Sequence, residues 1–162
     1  MLDYGAIYTE LHKNHKHYTG KSIKTGLPHI VKLVEETKPR RLLDYGCGKG
    51  QQYSVHKVHE AWGGLKPHCF DVGVPAFADG PRGYFDGVIC TDVMEHIEEA
   101  DIPKVLDEIF GYAEKFVFLS ICTRPAKKLL PDGRNCHLTV KPEDWWNAKL
   151  KGRRPRYQVA YV

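Results

Sequence analysis

The chain alternates short apolar runs with longer segments whose apolar residues recur at helical spacing. A buried strand is apolar throughout, so the short runs are typical of core strands. They are residues 41–44, 68–71, 85–90, 116–121 and 157–162. Helical segments lie around them, at residues 3–13, 28–38, 51–62, 92–109 and 142–150. This alternation predicts an α/β fold, a reduced, doubly wound, mostly parallel sheet of about five strands with helices on both faces.

Composition fits one globular domain spanning residues 1–162. The chain is 42% hydrophobic and 27% charged, and its formal net charge of +4 permits an anionic partner without demanding one. No apolar run approaches the roughly 20 residues of a membrane span, so we expect no membrane partner. The five cysteines are scattered and include no C-x-x-C pair, which predicts free thiols in a reducing compartment, the cytoplasm.

Residues 42–50, LLDYGCGKG, are the most informative segment. Glycines at alternate positions let the backbone turn sharply and let a ligand approach it closely. The acid Asp44 ends the strand, where it suits a cationic or hydroxyl-bearing ligand better than a pyrophosphate. The dinucleotide fingerprint G-x-G-x-x-G requires a third glycine where this chain has Gln51.

The segment LLDYGCGKG resembles motif I of the class I S-adenosylmethionine (SAM) methyltransferases, which have a Rossmann-like fold. Two further features resemble that family: the acid Asp71 ends the next predicted strand, and residues 85–92, FDGVICTD, resemble its motif IV. The resemblance covers roughly residues 41–145 and looks like that of short bacterial and phage members. It implies a SAM-dependent methyltransferase.

The resemblance also implies a set of cofactor contacts. Asp71 would bind the ribose hydroxyls, Val72 would pack on adenine, and the backbone after Gly46 and Gly48 would meet the methionine carboxylate. Asp79 is a candidate for the family's adenine-contacting acid, with a turn residue as the alternative. The full set of expected contacts is Tyr18, Asp44, Tyr45, Gly46, Cys47, Gly48, Lys49, Asp71, Val72, Asp79, Thr91 and Asp92.

The segment formed by residues 1–27 is rich in tyrosine and histidine. In many class I enzymes such a segment covers the cofactor as a lid, and here Tyr18, Lys21 and Ser22 are the candidate lid contacts. The alternative is a helix that packs its tyrosines inward and leaves its charges in solvent.

The chain departs from the family in two places. The segment formed by residues 72–85 is too short and too rich in proline and glycine to be a crossover unit, so we expect the usual third strand to be missing. After the strand at 116–121 only one further strand fits. These missing units leave a sheet edge that needs cover, which makes a homodimer plausible.

Three ligand-type side chains, Asp92, Glu95 and His96, have the spacing of one helical face. With His137 they form a candidate site for Mg²⁺, Mn²⁺, Fe²⁺ or Zn²⁺. Their order resembles that of metal-dependent methyltransferases that act on small-RNA 3′ ends or in ubiquinone biosynthesis. Without a metal, His96 is a general base or an ordering hydrogen-bonder, and Asp92 a helix cap with Glu95 completing it. The catalytic candidates are therefore Asp92, Glu95 and His96.

The leading hypothesis is methyl transfer from SAM to an oxygen or nitrogen of a small-molecule or RNA acceptor. A SAM- or S-adenosylhomocysteine-binding module with little or no catalysis is the alternative, and an NAD-linked oxidoreductase is disfavoured by the glycine spacing. Of Trp145 and Trp146, one is expected in the core and the other is a candidate for substrate stacking. A basic stretch over residues 149–156 is a candidate phosphate contact or a solvated loop.

Overall fold

The computed structural model describes residues 3–13 and 22–162. Five α-helices are present in these ranges: α1 (Tyr4–His12), α2 (Ile23–Thr37), α3 (Gln51–Ser54), α4 (Ile102–Tyr112) and α5 (Glu143–Leu150). The strands are β1 (Leu42–Tyr45), β2 (His68–Phe70), β3 (Phe85–Thr91), β4 (Ala113–Ile121) and β5 (Arg156–Tyr161). Three short 3₁₀ helices span Val58–Trp62, Pro75–Phe77 and Met94–His96.

All five strands are parallel and form one sheet in the order β2-β1-β3-β4-β5. The central strand β3 is buried along its whole length, as expected where helices cover both faces of a sheet. Alternate residues of β4 supply the two faces: Phe116 and Phe118 pack towards α2, whereas Val117 and Leu119 pack towards α4 and α5. The predicted Rossmann-like architecture is therefore confirmed.

The reduced size of the sheet is also confirmed in the described ranges. Between β2 and β3 the chain forms only the 3₁₀ helix Pro75–Phe77, and after β4 it adds only β5. Consequently β2 and β5 are the edge strands, and the homodimer suggested by an uncovered edge stays a prediction.

Helix α2 begins earlier than the sequence predicted. Pro28 was expected to open the helix, but it lies inside α2, which starts at Ile23. Proline in a helix removes the bond to the carbonyl four residues earlier. Here that residue, Lys24, and Pro28 itself are exposed, so water can satisfy the carbonyl, while buried Ile23 and Gly26 anchor the first turn.

Gly26 allows α2 to lie directly on the sheet. A Cβ at this position would sit 2.5 Å from ring carbons of Phe118, which is fully buried. Gly111 in α4 is the opposite case, because a Cβ there meets nothing within 4 Å.

We therefore expect Gly26→Ala and Gly111→Ala to change stability in opposite directions. Gly111→Ala is expected to raise the free energy of unfolding by up to about 1 kcal/mol, because alanine has the higher helix propensity. Gly26→Ala has the same benefit in helix propensity, but its methyl group forces the Phe118 ring aside. This overpacking lowers the free energy of unfolding by about 1–3 kcal/mol. Urea unfolding of both variants checks this, and a Gly26→Ala protein as stable as Gly111→Ala would contradict the close packing of α2.

Candidate active site

A cavity of about 760 Å³ lies at the carboxyl ends of the strands. Its lining includes the last residues of β1, β2 and β3, namely Tyr45, Phe70 and Thr91, and Cys122 immediately after β4. Ligands of open parallel sheets bind at this edge, where the connections to the next helices diverge. The cavity is therefore the candidate active site.

The glycine turn after β1 forms one wall of the cavity. Gly46, Gly48 and Gly50 have φ values of 79°, 57° and 65°, in the left-handed region that favours glycine. A Cβ on Gly46 would also lie 2.2 Å from a methyl group of Val93. The amides of Gly46 and Cys47 donate to the Phe70 carbonyl, at 2.8 and 3.1 Å, and so fix the turn to the end of β2.

Asp71 connects this turn to its surroundings. Its Oδ2 accepts a hydrogen bond from the Gly48 amide at 2.8 Å, and its Oδ1 accepts one from the Gly73 amide at 2.9 Å. The Nε2 atom of His12 lies 3.7 Å from Oδ1. The side chain lines the cavity and is mostly buried, so its carboxylate is held in place by backbone donors.

Asp44 lies beneath the cavity and does not line it. Its Oδ2 accepts hydrogen bonds from Gln52 Nε2 at 2.9 Å and from the Tyr53 hydroxyl at 2.7 Å, which fixes α3 to β1. Burial raises the pKa of Asp44 to about 6, although both hydrogen bonds oppose the shift. Its predicted contact with the cofactor stays a prediction.

The remaining predicted cofactor residues divide into two groups. Those that line the cavity are Tyr45, Gly46, Cys47, Gly48, Val72, Thr91 and Asp92. Lys49 and Asp79 do not line it, and Asp79 is exposed on the segment between β2 and β3. Tyr18 and Lys21 lie outside the described residues. The cofactor contacts of all these residues stay predictions.

Helix α1 forms another wall, and Tyr4, Tyr8 and His12 on one of its faces line the cavity. The Tyr4 hydroxyl donates to Asp101 Oδ2 at 2.8 Å and accepts from the Glu98 amide at 3.0 Å, which fixes the helix beside the segment after β3. The helix is the described part of the predicted lid segment 1–27, and its closure over a ligand stays a prediction.

Gly73, which the sequence did not single out, allows α1 to approach the loop after β2. A Cβ on Gly73 would lie 2.5 Å from the Cβ of Tyr8 and 2.9 Å from the His12 ring. Its only sequence signal is its position two residues after Asp71. Gly73 therefore matters to the site through packing.

The segment after β3 corrects one prediction. Asp92, Glu95 and His96 were expected on one helical face, but only Met94–His96 is helical, as a single 3₁₀ turn. Asp92 has a φ of 54°, and its amide donates to the Ser120 carbonyl at 3.0 Å, which extends the β3–β4 pairing by one residue. A residue in the left-handed region is not part of a right-handed helix, so Asp92 does not share a helical face with Glu95 and His96, although aspartate tolerates this conformation better than most residues.

Glu95 and His96 are both driven towards their neutral forms. Burial, aided by the charge of Asp92, raises the pKa of Glu95 to about 8. Burial also lowers the pKa of His96 to about 4, and neighbouring His137 adds to the effect. The His96 Nδ1 atom lies 3.0 Å from the Cys136 carbonyl oxygen. That carbonyl only accepts, so Nδ1 carries the proton and Nε2 is the basic atom.

The predicted metal ligands are only partly brought together. Ligand atoms of Glu95, Cys122 and His137 lie within 4.8 Å of one another, and no other such group occurs among residues 3–13 and 22–162. Asp92 and His96 are not in this group, although the His96 and His137 rings meet edge-on with centroids 4.8 Å apart. Cys122 was not predicted as a ligand, because only the pairing of β3 with β4 brings it beside Glu95.

Comparison with known protein families identifies the family of this chain. A family model described as "Methyltransferase domain" matches residues 16–158. The chain belongs to this methyltransferase family. The class I resemblance seen in motif I is thereby confirmed, whereas the bacterial or phage type stays a prediction. No curated protein and no solved structure matches the chain. No helix among the described residues of this methyltransferase is long and apolar enough to cross a membrane.

Two further candidates of the sequence analysis lie away from the methyltransferase cavity. Trp146 is fully buried in the core, and Trp145 stacks with Lys141 and Lys149 instead of lining the cavity. The basic stretch precedes β5, which places it at the amino edge of the sheet, opposite the site. In that stretch Arg153 and Arg156 form ion pairs with Asp107 and Glu36.

The raised pKa of Asp44 predicts a pH-dependent stability. An acid whose pKa is higher in the folded protein stabilises it most at low pH, and this contribution is lost as the pH rises from about 4 through about 6. The loss is on the order of 2–3 kcal/mol. Asp44→Asn, which retains an acceptor for Tyr53, removes this titration, so the difference in unfolding free energy between wild type and variant changes across that range.

Urea unfolding at several pH values between 4 and 7 measures this difference. Asp79→Asn, at an exposed position, is the matched control and is expected to follow the wild type throughout. If the unfolding free energies of wild type and Asp44→Asn change in parallel with pH, the raised pKa of Asp44 is contradicted.

Proposed function

We propose that this methyltransferase takes its methyl group from SAM, bound in the cavity at the strand ends. The observation that carries the proposal is the Asp71 carboxylate, held by the Gly48 amide beside the left-handed glycine turn. A carboxylate at this position suits the ribose hydroxyls and the positive charge of SAM, and it would repel the pyrophosphate of a dinucleotide.

Asp71 retains acceptor capacity for a ribose. An ionised carboxylate offers about four acceptor positions, and two are taken by the Gly48 and Gly73 amides. Val72 follows with 44% of its surface exposed and lines the same cavity, which gives an adenine ring an apolar surface. The methionine end of SAM would lie along the turn from Gly46 to Gly48, towards Thr91 at the end of β3.

The transfer itself is an in-line substitution at the methyl carbon. A lone pair on an acceptor oxygen or nitrogen forms the new bond, and the C–S bond breaks with its electron pair moving to sulfur, which gives S-adenosylhomocysteine. The acceptor's proton leaves to a base. Catalysis then comes mainly from alignment of the two reactants and exclusion of water, which the walls formed by α1 and the segment after β3 support.

His96 is the proposed proton acceptor or acceptor-orienting group. The Cys136 carbonyl holds Nδ1, so the basic atom of the ring is Nε2, and the lowered pKa keeps the ring neutral near pH 7. A neutral imidazole with a fixed tautomer can accept a hydrogen bond from the attacking O–H or N–H group. The low basicity of this ring suits a role in orienting the acceptor. The acceptor then loses its proton as the methyl group moves and the sulfonium loses its charge.

A small molecule is the acceptor class that the cavity favours. Its volume of about 760 Å³ lies in the range of small-molecule sites, and bound SAM would fill much of it. The basic stretch that was a candidate phosphate contact lies at the opposite edge of the sheet, away from the cavity. The five scattered cysteines, which include no C-x-x-C pair, suit a reducing compartment, and the cytoplasm is the proposed place of action.

Replacement of the Asp71 carboxylate by an amide tests whether Asp71 binds the ribose of SAM. We expect Asp71→Asn to weaken SAM binding by about 10–100-fold, because it replaces charge-assisted hydrogen bonds with neutral ones and leaves a donor where an acceptor is needed. Asp79→Asn, whose parent side chain does not line the cavity, is expected to bind SAM like the wild type. Titration calorimetry measures both, and equal affinities for all three proteins would contradict the assigned ribose site.

Methyl transfer is tested with methyl-labelled SAM and fractionated small-molecule extracts. We expect one fraction to give a labelled product together with an equal amount of S-adenosylhomocysteine. His96→Asn is expected to lower the transfer rate on the order of 100-fold, with SAM affinity nearly unchanged. SAM binding without turnover in any fraction would favour the non-catalytic binding module, and binding of NAD in place of SAM would contradict the proposal.

A further inference from the structure

Three side chains from separate segments converge on the floor of the cavity. Glu95 belongs to the 3₁₀ turn after β3, Cys122 follows β4, and His137 lies in the loop before α5. All three line the cavity, and their ligand atoms lie within 4.8 Å of one another. Backbone hydrogen bonds hold this arrangement, because the Cys122 amide donates to Glu95 Oε1 at 3.0 Å and the Thr139 amide donates to the Glu95 carbonyl at 3.0 Å.

Glu95 is the side chain that requires an explanation. It has 0% exposure, and its Oε2 has no hydrogen-bond partner among residues 3–13 and 22–162. A buried polar atom without a partner loses its hydration and gains nothing in return, so native proteins rarely leave one. The carboxylate that carries this oxygen belongs to the group that includes Cys122 and His137, and a cation bound there by Oε2 would satisfy it.

His137 is oriented as a metal ligand usually is. Its Nδ1 atom lies 2.6 Å from the Arg124 carbonyl oxygen, which fixes the proton on Nδ1 and leaves the lone pair on Nε2. Histidine ligands commonly donate their other N–H to a carbonyl in this way. Cys122 adds a sulfur ligand, which hard cations such as Mg²⁺ do not favour.

We propose that Glu95, Cys122 and His137 bind a zinc ion. One carboxylate, one thiolate and one imidazole match the ligand preferences of zinc, and three protein ligands leave a fourth position open to the cavity. Tetrahedral zinc with bonds of about 2.0–2.3 Å requires ligand atoms about 3.3–3.8 Å apart. The present separations of up to 4.8 Å therefore close by about 1 Å, which side-chain rotation of Cys122 and His137 can supply.

This site differs from the one that the sequence suggested. Asp92 Oδ1 accepts a hydrogen bond from the Ser120 hydroxyl at 3.1 Å, and His96 Nδ1 is held by Cys136, so these side chains surround the zinc ligands without joining them. The open zinc position faces the cavity assigned to methyl transfer. If the proposed function holds, the acceptor therefore carries a group that coordinates zinc, such as a hydroxyl or a thiol.

Zinc titration of the purified, chelator-treated and reduced protein tests the proposal without SAM. A chromophoric chelator serves as the competitor, and we expect one zinc per chain. Cys122→Ser and His137→Gln are each expected to weaken binding at least about 100-fold, because loss of an outer-shell partner alone costs 10–100-fold. Cys69→Ser, at a half-buried cysteine in β2, is the matched control and is expected to retain wild-type affinity. Asp92→Asn, which changes a neighbour of the ligands and not a ligand, is expected to weaken binding less than either ligand substitution does.

Cobalt substitution separates loss of a ligand from loss of the fold. The wild-type cobalt protein is expected to show a thiolate-to-cobalt charge-transfer band, which disappears in Cys122→Ser while the far-ultraviolet circular dichroism stays native. Absence of stoichiometric zinc, or wild-type zinc affinity in Cys122→Ser, would overturn the site. If Asp92→Asn loses zinc and Cys122→Ser retains it, the metal is bound instead by the ligands predicted from the sequence, which are Asp92, Glu95, His96 and His137. Failure of SAM to bind would contradict the proposed function and leave this result unaffected.

Discussion

One carboxylate connects the segments that form the cavity. Asp71 directly follows β2 and accepts hydrogen bonds from the Gly48 amide of the first turn and from the Gly73 amide in its own loop, while His12 of α1 lies against it. Hydrogen bonds to a charged group contribute about 1.5–3 kcal/mol each. Asp71 therefore links the glycine turn to the loop after β2 and places the first helix against both.

Burial sets the charge around this carboxylate. Asp44 and Glu95 have raised pKa values and His96 has a lowered one, so desolvation favours the neutral form of each. Asp71, in contrast, is held by backbone donors at the cavity wall. The site thus presents at its wall a carboxylate held by backbone donors, an arrangement suited to a cationic methyl donor.

Features fixed by local chemistry could be predicted from the sequence. The apolar runs predicted the five strands, the alternate glycines predicted the sharp turn after β1, and the short segment after Asp71 predicted the missing third strand. Features that depend on the pairing of distant segments could not be predicted from the sequence. Asp92 is left-handed because its amide pairs with Ser120, and Cys122 meets Glu95 because β3 and β4 are neighbours, neither of which helical spacing reveals.

A crystal structure of the protein with S-adenosylhomocysteine tests the central claim most directly. The account predicts that both ribose hydroxyls lie within hydrogen-bond distance of Asp71, that adenine contacts Val72, and that the sulfur faces Thr91 at the end of β3. Binding of the nucleoside elsewhere on the molecule, or a ribose that does not contact Asp71, would contradict it.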